Sequence, residues 1–426
     1  MRRIIILALF ASVPFSIACD EVAEGEGEGE GEEGEGEGEG EGEGEGEGEG
    51  EGEGEGEGEG EGEAALSCTE AFLYAGNPDD AANVQNRPPE GTGILAAPAF
   101  PYRNLVFAGA QVITHQGQEI WRIDDAETLH KIAGTESTQQ ALTTGACAGA
   151  RFANIHGIAM GRDGSLYVSD NTANAILKIT EPLGAGCSVA HYAGTPNDVA
   201  EGNIDPGNPP NVGNTDGAGD IAQFALVGRM TIDGDDNLYV WDEGNDSIRK
   251  IGSDANHTVS TIIDNVGDGG GSLMALTVLG DSLFVYGKAS NDLFITEVAL
   301  AGGVATDVVR GRADIFGGGS ADSQILGGIV NDGVDLILFF NGQIFAVDVA
   351  GTVSAPLAGV YRPGPEGSIG YDPFALHTAA TLEIPDNTAL TATAGAQSFL
   401  AIDPNDDLYI TANRLNRYVV KIECAN

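Results

Sequence analysis

The sequence predicts an all-β repeat protein behind an unstructured acidic leader. Three observations predict it. Residues 152–179 return as residues 224–251, an offset of 72 with no gap, and ten paired positions are identical: Phe152/Phe224, Ala153/Ala225, Asp163/Asp235, Leu166/Leu238, Tyr167/Tyr239, Val168/Val240, Asp170/Asp242, Ile176/Ile248, Lys178/Lys250 and Ile179/Ile251. Each copy breaks into short strand-forming runs separated by turn residues, and self-similarity of this kind marks a repeat architecture. Residues 24–63, by contrast, are almost pure Glu-Gly.

Within the first copy, Gly157-Ile-Ala-Met160 is a short apolar run. Gly161-Arg-Asp-Gly164 has turn chemistry, since Gly supplies positive φ and Asp bonds its own backbone. Leu166-Tyr-Val-Ser-Asp170 is rich in strand formers, Asn171-Thr-Ala-Asn174 makes a second turn, and Ile176-Leu-Lys-Ile179 alternates as a half-buried strand does. A fourth strand follows at Val189-Ala-His-Tyr192. A weaker third copy runs from Phe399 to Ile422. The stretches GIAMGRDGSLYVSDNTANAILKI and RMTIDGDDNLYVWDEGNDSIRKI, with Ala-Gly recurring at 75–76, 133–134, 193–194 and 358–359, resemble the NHL repeat. That resemblance implies a β-propeller of four-stranded antiparallel blades, and the strand groups number six.

In chain order, residues 1–18 read as a signal peptide. Arg2 and Arg3 precede an apolar core, Ile4 to Phe15, too short to span a membrane. Ser16-Ile-Ala-Cys19 resembles the cleavage and acylation site of bacterial lipoproteins, with Ser16 where Leu is usual; Ser16 and Ala18 also fit an ordinary small-x-small cleavage site. The expectation is lipidation at Cys19. Residues 19–63 form the linker, with 23 acidic and no basic residues within a chain of net charge −47. Lacking apolar side chains, the repeat cannot offset chain entropy, so it is expected to be disordered and extended by its own repulsion. It reads as a passive tether; ordered cation sites need converging ligands, which a coil does not supply.

Residues 64–426 are the expected propeller. Blade one takes strands near 104–106, 111–114, 120–123 and 129–132; blades two and three are the clear repeats, with 258–263 ending blade three. Blade four is read at 275–279, 282–286, 293–298 and 304–309, and blade five at 325–330, 336–340, 343–347 and 353–357. Blade six, 399–402, 408–411 and 418–422, lacks a fourth strand. Phe72-Leu-Tyr-Ala75 carries a blade-end pattern with no blade before it, so it is expected to complete blade six and close the ring. Cys68 and Cys424 then fall at one end of adjacent strands, which suits a disulfide. Cys147 and Cys187 are placed on opposite faces, and their pairing is left open.

No catalytic, cofactor-binding or metal-ligating residue is assigned. His156 is expected near the central channel, but its counterpart in blade three is Gly228 and no other inner strand offers His, whereas a zinc site needs about three protein ligands. Asp233-Gly-Asp-Asp-Asn237 resembles half of a calcium loop but has Leu238 at position six and Gly244 at position twelve, so it reads as a hairpin turn. Asp170 and Asp242 read as turn-stabilising carboxylates. The acidic balance argues against nucleic-acid contact.

Long loops at 77–98, 135–151, 195–223 and 361–397 separate blades and are expected on one face. The expected function is a non-enzymatic, envelope-anchored binding module for a protein, peptide or glycan, with a candidate binding face formed by His156, Arg229, Tyr371 and Phe374. A metal-dependent propeller lyase or hydrolase and a structural envelope component are the alternatives. The chain is expected to be an exported monomer that meets the membrane only through its lipid, with no cofactor.

Overall fold

A computed structural model describes residues 66–76, 91, 93, 103–136, 142–195, 212–266, 272–289, 292–312, 326–340, 343–354, 357–363, 369–376, 391–392, 399–412 and 418–425. The chain divides into two units, Met1–Gly60 and Glu61–Asn426, and every described residue belongs to the second. The expected signal peptide, Cys19 and the Glu-Gly run lie outside the described residues.

Six antiparallel sheets follow one another as blades. Blade one is Arg103–Ala108, Gln111–Gln116, Glu119–Ile123 and Leu129–Gly134. Blade two is Ile155–Met160, Leu166–Asp170, Ala175–Thr180 and Ser188–Gly194, with Gly145–Ala146 added outside. Blade three is Val227–Ile232, Leu238–Asp242, Ser247–Ile251 and Val259–Asp264. Blade four is Ser272–Leu279, Ser282–Ala289, Asp292–Ala299 and Thr306–Arg312. Blade five is Leu326–Asn331, Leu336–Phe340, Gln343–Val347 and Ala358–Pro363, extended by Ile369–Leu376 and Thr391–Ala392. Blade six is Leu400–Ile402, Leu408–Ala412 and Tyr418–Ala425, completed by Ser67–Gly76 from the other end of the propeller.

The chain buries its apolar side chains between blades. Six clusters form, each drawn from two neighbouring blades. The period-two alternation of a strand explains this: Leu166 and Val168 turn toward blade one, while Tyr167 between them turns toward blade three. Ile337 and Phe339 likewise face blade six, and Leu336, Leu338 and Phe340 face blade four. Six interfaces of this size let a long chain fold without one oversized core.

Ring closure is covalent as well as hydrogen-bonded. Ser67–Gly76 pairs with Tyr418–Ala425, Cys68 lies opposite Cys424, and a disulfide joins the two. A second disulfide joins Cys147 to Cys187. The sequence placed these two on opposite faces; instead the loop carrying Cys147 folds along the outer strand of blade two, where Gly145–Ala146 pairs with Ser188 and Val189.

Two further readings are corrected. The fourth strand of blade five is Ala358–Pro363, not 353–357; Val353 makes an isolated bridge to Val347. The stretch 361–397, read as a loop, carries the strand Ile369–Leu376, which pairs with Ala358–Pro363 and widens blade five at its rim.

Candidate functional site

The first strand of each blade is innermost, and these six strands surround a channel of about 510 Å³. Apolar lining comes from Ile158, Met230, Leu276 and Ile329. The free edges of these strands turn backbone N–H and C=O groups toward the channel, so the fold supplies polar partners without polar side chains. Such a volume is within the range of small-molecule sites.

Blades two and three meet closely at the end where inner strands begin. A Cβ on Gly157 would lie 3.2 Å from the Arg229 Cα, so glycine lets the two strands approach there. Ser169 Oγ donates to the Gly228 carbonyl at 2.6 Å, and Asn171 Nδ2 donates to the Val227 carbonyl at 3.1 Å. Leu226, one step earlier, is held with φ of 60° and is 48% exposed, an unusual backbone for a branched side chain.

Basic side chains gather at this mouth. Arg229 reaches from blade three to blade six, with its guanidinium 4.7 Å from the Phe399 ring centroid. Burial and the Arg103 charge push it down to about 10, and Glu243 opposes them. His156 heads the inner strand of blade two and is half-buried. Burial, then Arg229 and Arg103, hold it below the usual imidazole range. Arg103 begins the inner strand of blade one, opposite His115 in register. His115 is 1% exposed, and neither ring nitrogen has a hydrogen-bond partner. Its imidazole is pushed well down by burial, then by Arg103, His156 and Arg229. Sequence reading missed His115 because it sits on a second strand, where no repeat position marks it.

Asp170 and Asp242, near the same end, belong to the scaffold. Asp170 is fully buried and accepts from the Ala153, Asn154 and Ala173 amides at 2.6, 3.1 and 3.0 Å. Asp242, its counterpart, accepts from the Ala225 amide at 2.7 Å, Asn245 Nδ2 at 2.8 Å and Arg249 Nη1 at 2.7 Å. At the other end of the inner strands, Asp233 accepts from the Asp235 and Asn237 amides, and Asp403 from those of Asn405 and Asp407. These carboxylates close hairpin turns. Among the described residues no three His, Cys, Asp or Glu side chains converge as a metal site requires.

The four residues expected to share a binding face do not come together. His156 and Arg229 stand at the channel mouth. Tyr371 and Phe374 lie on Ile369–Leu376, the fifth strand of blade five, at the rim. The described part of the 195–223 loop also lies at the rim. Gly217 bridges Val259 on the outer strand of blade three, and Asp216 Oδ2 accepts from the Thr261 amide at 2.9 Å. Asn208 and the prolines after it lie outside the described residues.

No protein-family model matches the chain, and no curated protein is similar to it in sequence. Solved structures share its fold. An auxiliary nutrient binding protein from Bacteroides thetaiotaomicron is 10% identical, with 85% of this chain and 76% of that chain covered at a TM-score of 0.50. One from Bacteroides ovatus is 10% identical, with 84% and 77% covered at 0.50. Streptogramin B lyase is 10% identical, with 83% and 98% covered at a TM-score of 0.43. At these identities the likeness is one of fold, a six-bladed β-propeller. This chain's own two disulfides point to an extracytoplasmic location.

Proposed function

We propose that this propeller is a non-catalytic binding module that takes its ligand at the channel mouth where the inner strands begin. One observation carries the reading: Arg103, His156 and Arg229 gather over an apolar-lined channel, while the buried carboxylates Asp170 and Asp242 bond scaffold groups. The blades are read as NHL-type, on the Asp that ends the second strand of blades two and three and ties down the entry to its own blade. The chain is exported and held at the envelope by a lipid on Cys19, with the Glu-Gly run as tether; it acts as a monomer and meets no nucleic acid.

The test is a screen of soluble glycans, peptides and small metabolites against the purified protein and its Arg229→Ala and Ala275→Phe variants. Ala275 lines the channel and packs against the cluster between blades four and five, so Phe there crowds that wall, with thermal unfolding as the check on folding. A ligand bound by the wild type and lost by both variants is expected. Ligands that bind all three proteins equally would move the site elsewhere. Cell fractionation of Cys19→Ala tests the anchor: the variant is expected in the soluble fraction, and an unacylated soluble wild type would remove the anchor from the reading.

A further inference from the structure

Blades two and three tie down their own entries with the aspartate that ends the second strand; blade one departs from this. Register fixes the comparison. Ile155 lies opposite Asp170 in blade two, Val227 opposite Asp242 in blade three, and Arg103 opposite His115 in blade one. In blade two the Asp170 carboxylate accepts from the amides of Ala153 and Asn154, which directly precede Ile155. The residues that directly precede Arg103 are Pro101 and Tyr102, and proline has no amide hydrogen to give. Part of the tie passes to Thr114, whose Oγ1 donates to the Arg103 carbonyl at 2.7 Å and accepts from its amide at 3.2 Å. His115 stands in the carboxylate's place, 1% exposed, with both ring nitrogens unbonded. Ile113 on its strand and Ile120 opposite it pack toward blade two, so alternation aims His115 into the contact between blades one and two.

We propose that His115 is an acid-released latch between blades one and two: neutral, it fills the contact, and on taking a proton it leaves, loosening the start of blade one's inner strand. The imidazolium has a second N–H to place and a charge to solvate, and the site is built for neither. Burial is the largest cost of that charge, followed by Arg103 on the paired strand, His156 at the head of blade two's inner strand, and Arg229 in blade three. Arg103 is exposed and Glu243 stands by Arg229, which tempers both of those fields but leaves the burial. The neighbouring carboxylates are engaged. Asp170 faces blade one, on the side of Leu166 and Val168, but the Ala153, Asn154 and Ala173 amides hold it. Glu119, on the next strand of blade one, turns with Trp121 and Ile123 to the opposite face and accepts from the Glu136 amide. Arg122 shares the face of His115 but donates to Gln111 Oε1 at the far end of the strand. The folded chain therefore holds this proton less tightly than the unfolded chain does. Below the ordinary imidazole value of about 6.5 the unfolded chain binds more protons, so stability present at neutral pH is lost as pH falls. Asn104 and Leu105 follow Arg103 and line the channel, so the wall that loosens is the channel's own.

The latch needs no ligand and stands apart from the binding reading. Its test is denaturant unfolding of the wild type, His115→Leu, His115→Gln and His156→Gln between about pH 7.5 and about pH 5. The unfolding constant of the wild type is expected to rise, relative to that of either His115 variant, by about tenfold for each pH unit below about pH 6. Asp170 is common to all four proteins, so its own titration cancels in the difference. His156→Gln is expected to keep the pH dependence of the wild type. A difference between the wild type and the His115 variants that does not change with pH would overturn the proposal, as would loss of the pH dependence in His156→Gln. Should neither His115 variant fold, hydrogen exchange of the wild type alone decides. On acidification, protection is expected to fall first in residues 103–118 and 153–158, while residues 272–299 of blade four keep theirs. Uniform loss, or unchanged protection at residues 103–118, would overturn the latch.

Discussion

Blades two and three carry the same template, yet each fastens the loop that leads into it by different chemistry. In both, that loop runs out along the blade's own outer strand. Before blade two, Gly145–Ala146 pairs with Ser188 and Val189, and the Cys147–Cys187 disulfide pins it. Before blade three, Gly217 bridges Val259, the Gly219 amide donates to the Asn256 carbonyl at 2.9 Å, and Arg249 holds Asp216. The position of Arg249 in blade two is Leu177, which packs in the apolar cluster against blade one. These two inter-blade loops cover the exposed edges of outer strands, which would otherwise invite pairing with another chain. One fastener is covalent and redox-sensitive; the other is an ion pair between buried Arg249 and half-exposed Asp216. Fastening of these two loops is therefore a task of the rim.

The largest effect is expected where the ionic fastener is broken from its buried side. Arg249→Ala leaves Asp242 buried beside an empty site and frees Asp216, and is expected to cost about 3–5 kcal/mol in denaturant unfolding. Arg249→Leu restores the blade-two residue and fills the space, so it is expected to cost less. Equal losses would mean that the charge pair, not packing, decides the site.

Breaking the covalent fastener comes next. Replacing Cys147 and Cys187 together by Ser opens a loop whose ends are 40 residues apart. Loss of the disulfide is expected to cost about 2–4 kcal/mol, measured by thermal unfolding under non-reducing conditions. Hydrogen exchange should rise at residues 145–150 before it rises in blade three. Uniform exchange over both blades would show that the disulfide stabilises the whole ring instead.

A pH titration sharpens the comparison of the two aspartates. Burial pushes Asp170 up to about 6, against the amides of Ala173, Ala153 and Asn154. Asp242 is also raised by burial, with Asn245, Ala225 and Arg249 opposing. Between about pH 4 and 6 the folded chain keeps a proton on Asp170 that an unfolded chain has lost, so this residue's contribution falls as pH rises through that window. Against Asp170→Asn, the wild type is expected to lose on the order of 2 kcal/mol of relative stability from pH 4 to pH 6. A difference independent of pH would show Asp170 ionised throughout.

The smallest effect is expected from the loop side of the ionic fastener. The Asp216 side chain is 46% exposed, so Asp216→Asn is expected to cost about 1 kcal/mol or less, while raising exchange at the Thr261 amide. A loss as large as that of Arg249→Ala would mean that the loop contact, not Asp242, carries the pair.

The sequence by itself determined the blades. The repeat at offset 72, the turn residues between strands and the apolar alternation within them are local signals, and each blade is a local hairpin meander. Even ring closure was legible, because Phe72-Leu-Tyr-Ala75 had no blade before it and blade six lacked a strand. Asp170 and Asp242 were legible as turn residues for the same reason, although Arg249 as a partner was not. Tertiary structure alone decided where the irregular segments went and which side chains met across blades. A loop has no period, so nothing in residues 195–223 or 361–397 told whether they would cross the channel mouth or lie along a rim. In the described parts of both stretches, backbone groups found partners on exposed strand edges. The basic mouth was hidden because Arg103, His115, His156 and Arg229 are distant in sequence and lie on three blades. Only the parallel arrangement of inner strands around one axis brings their ends together.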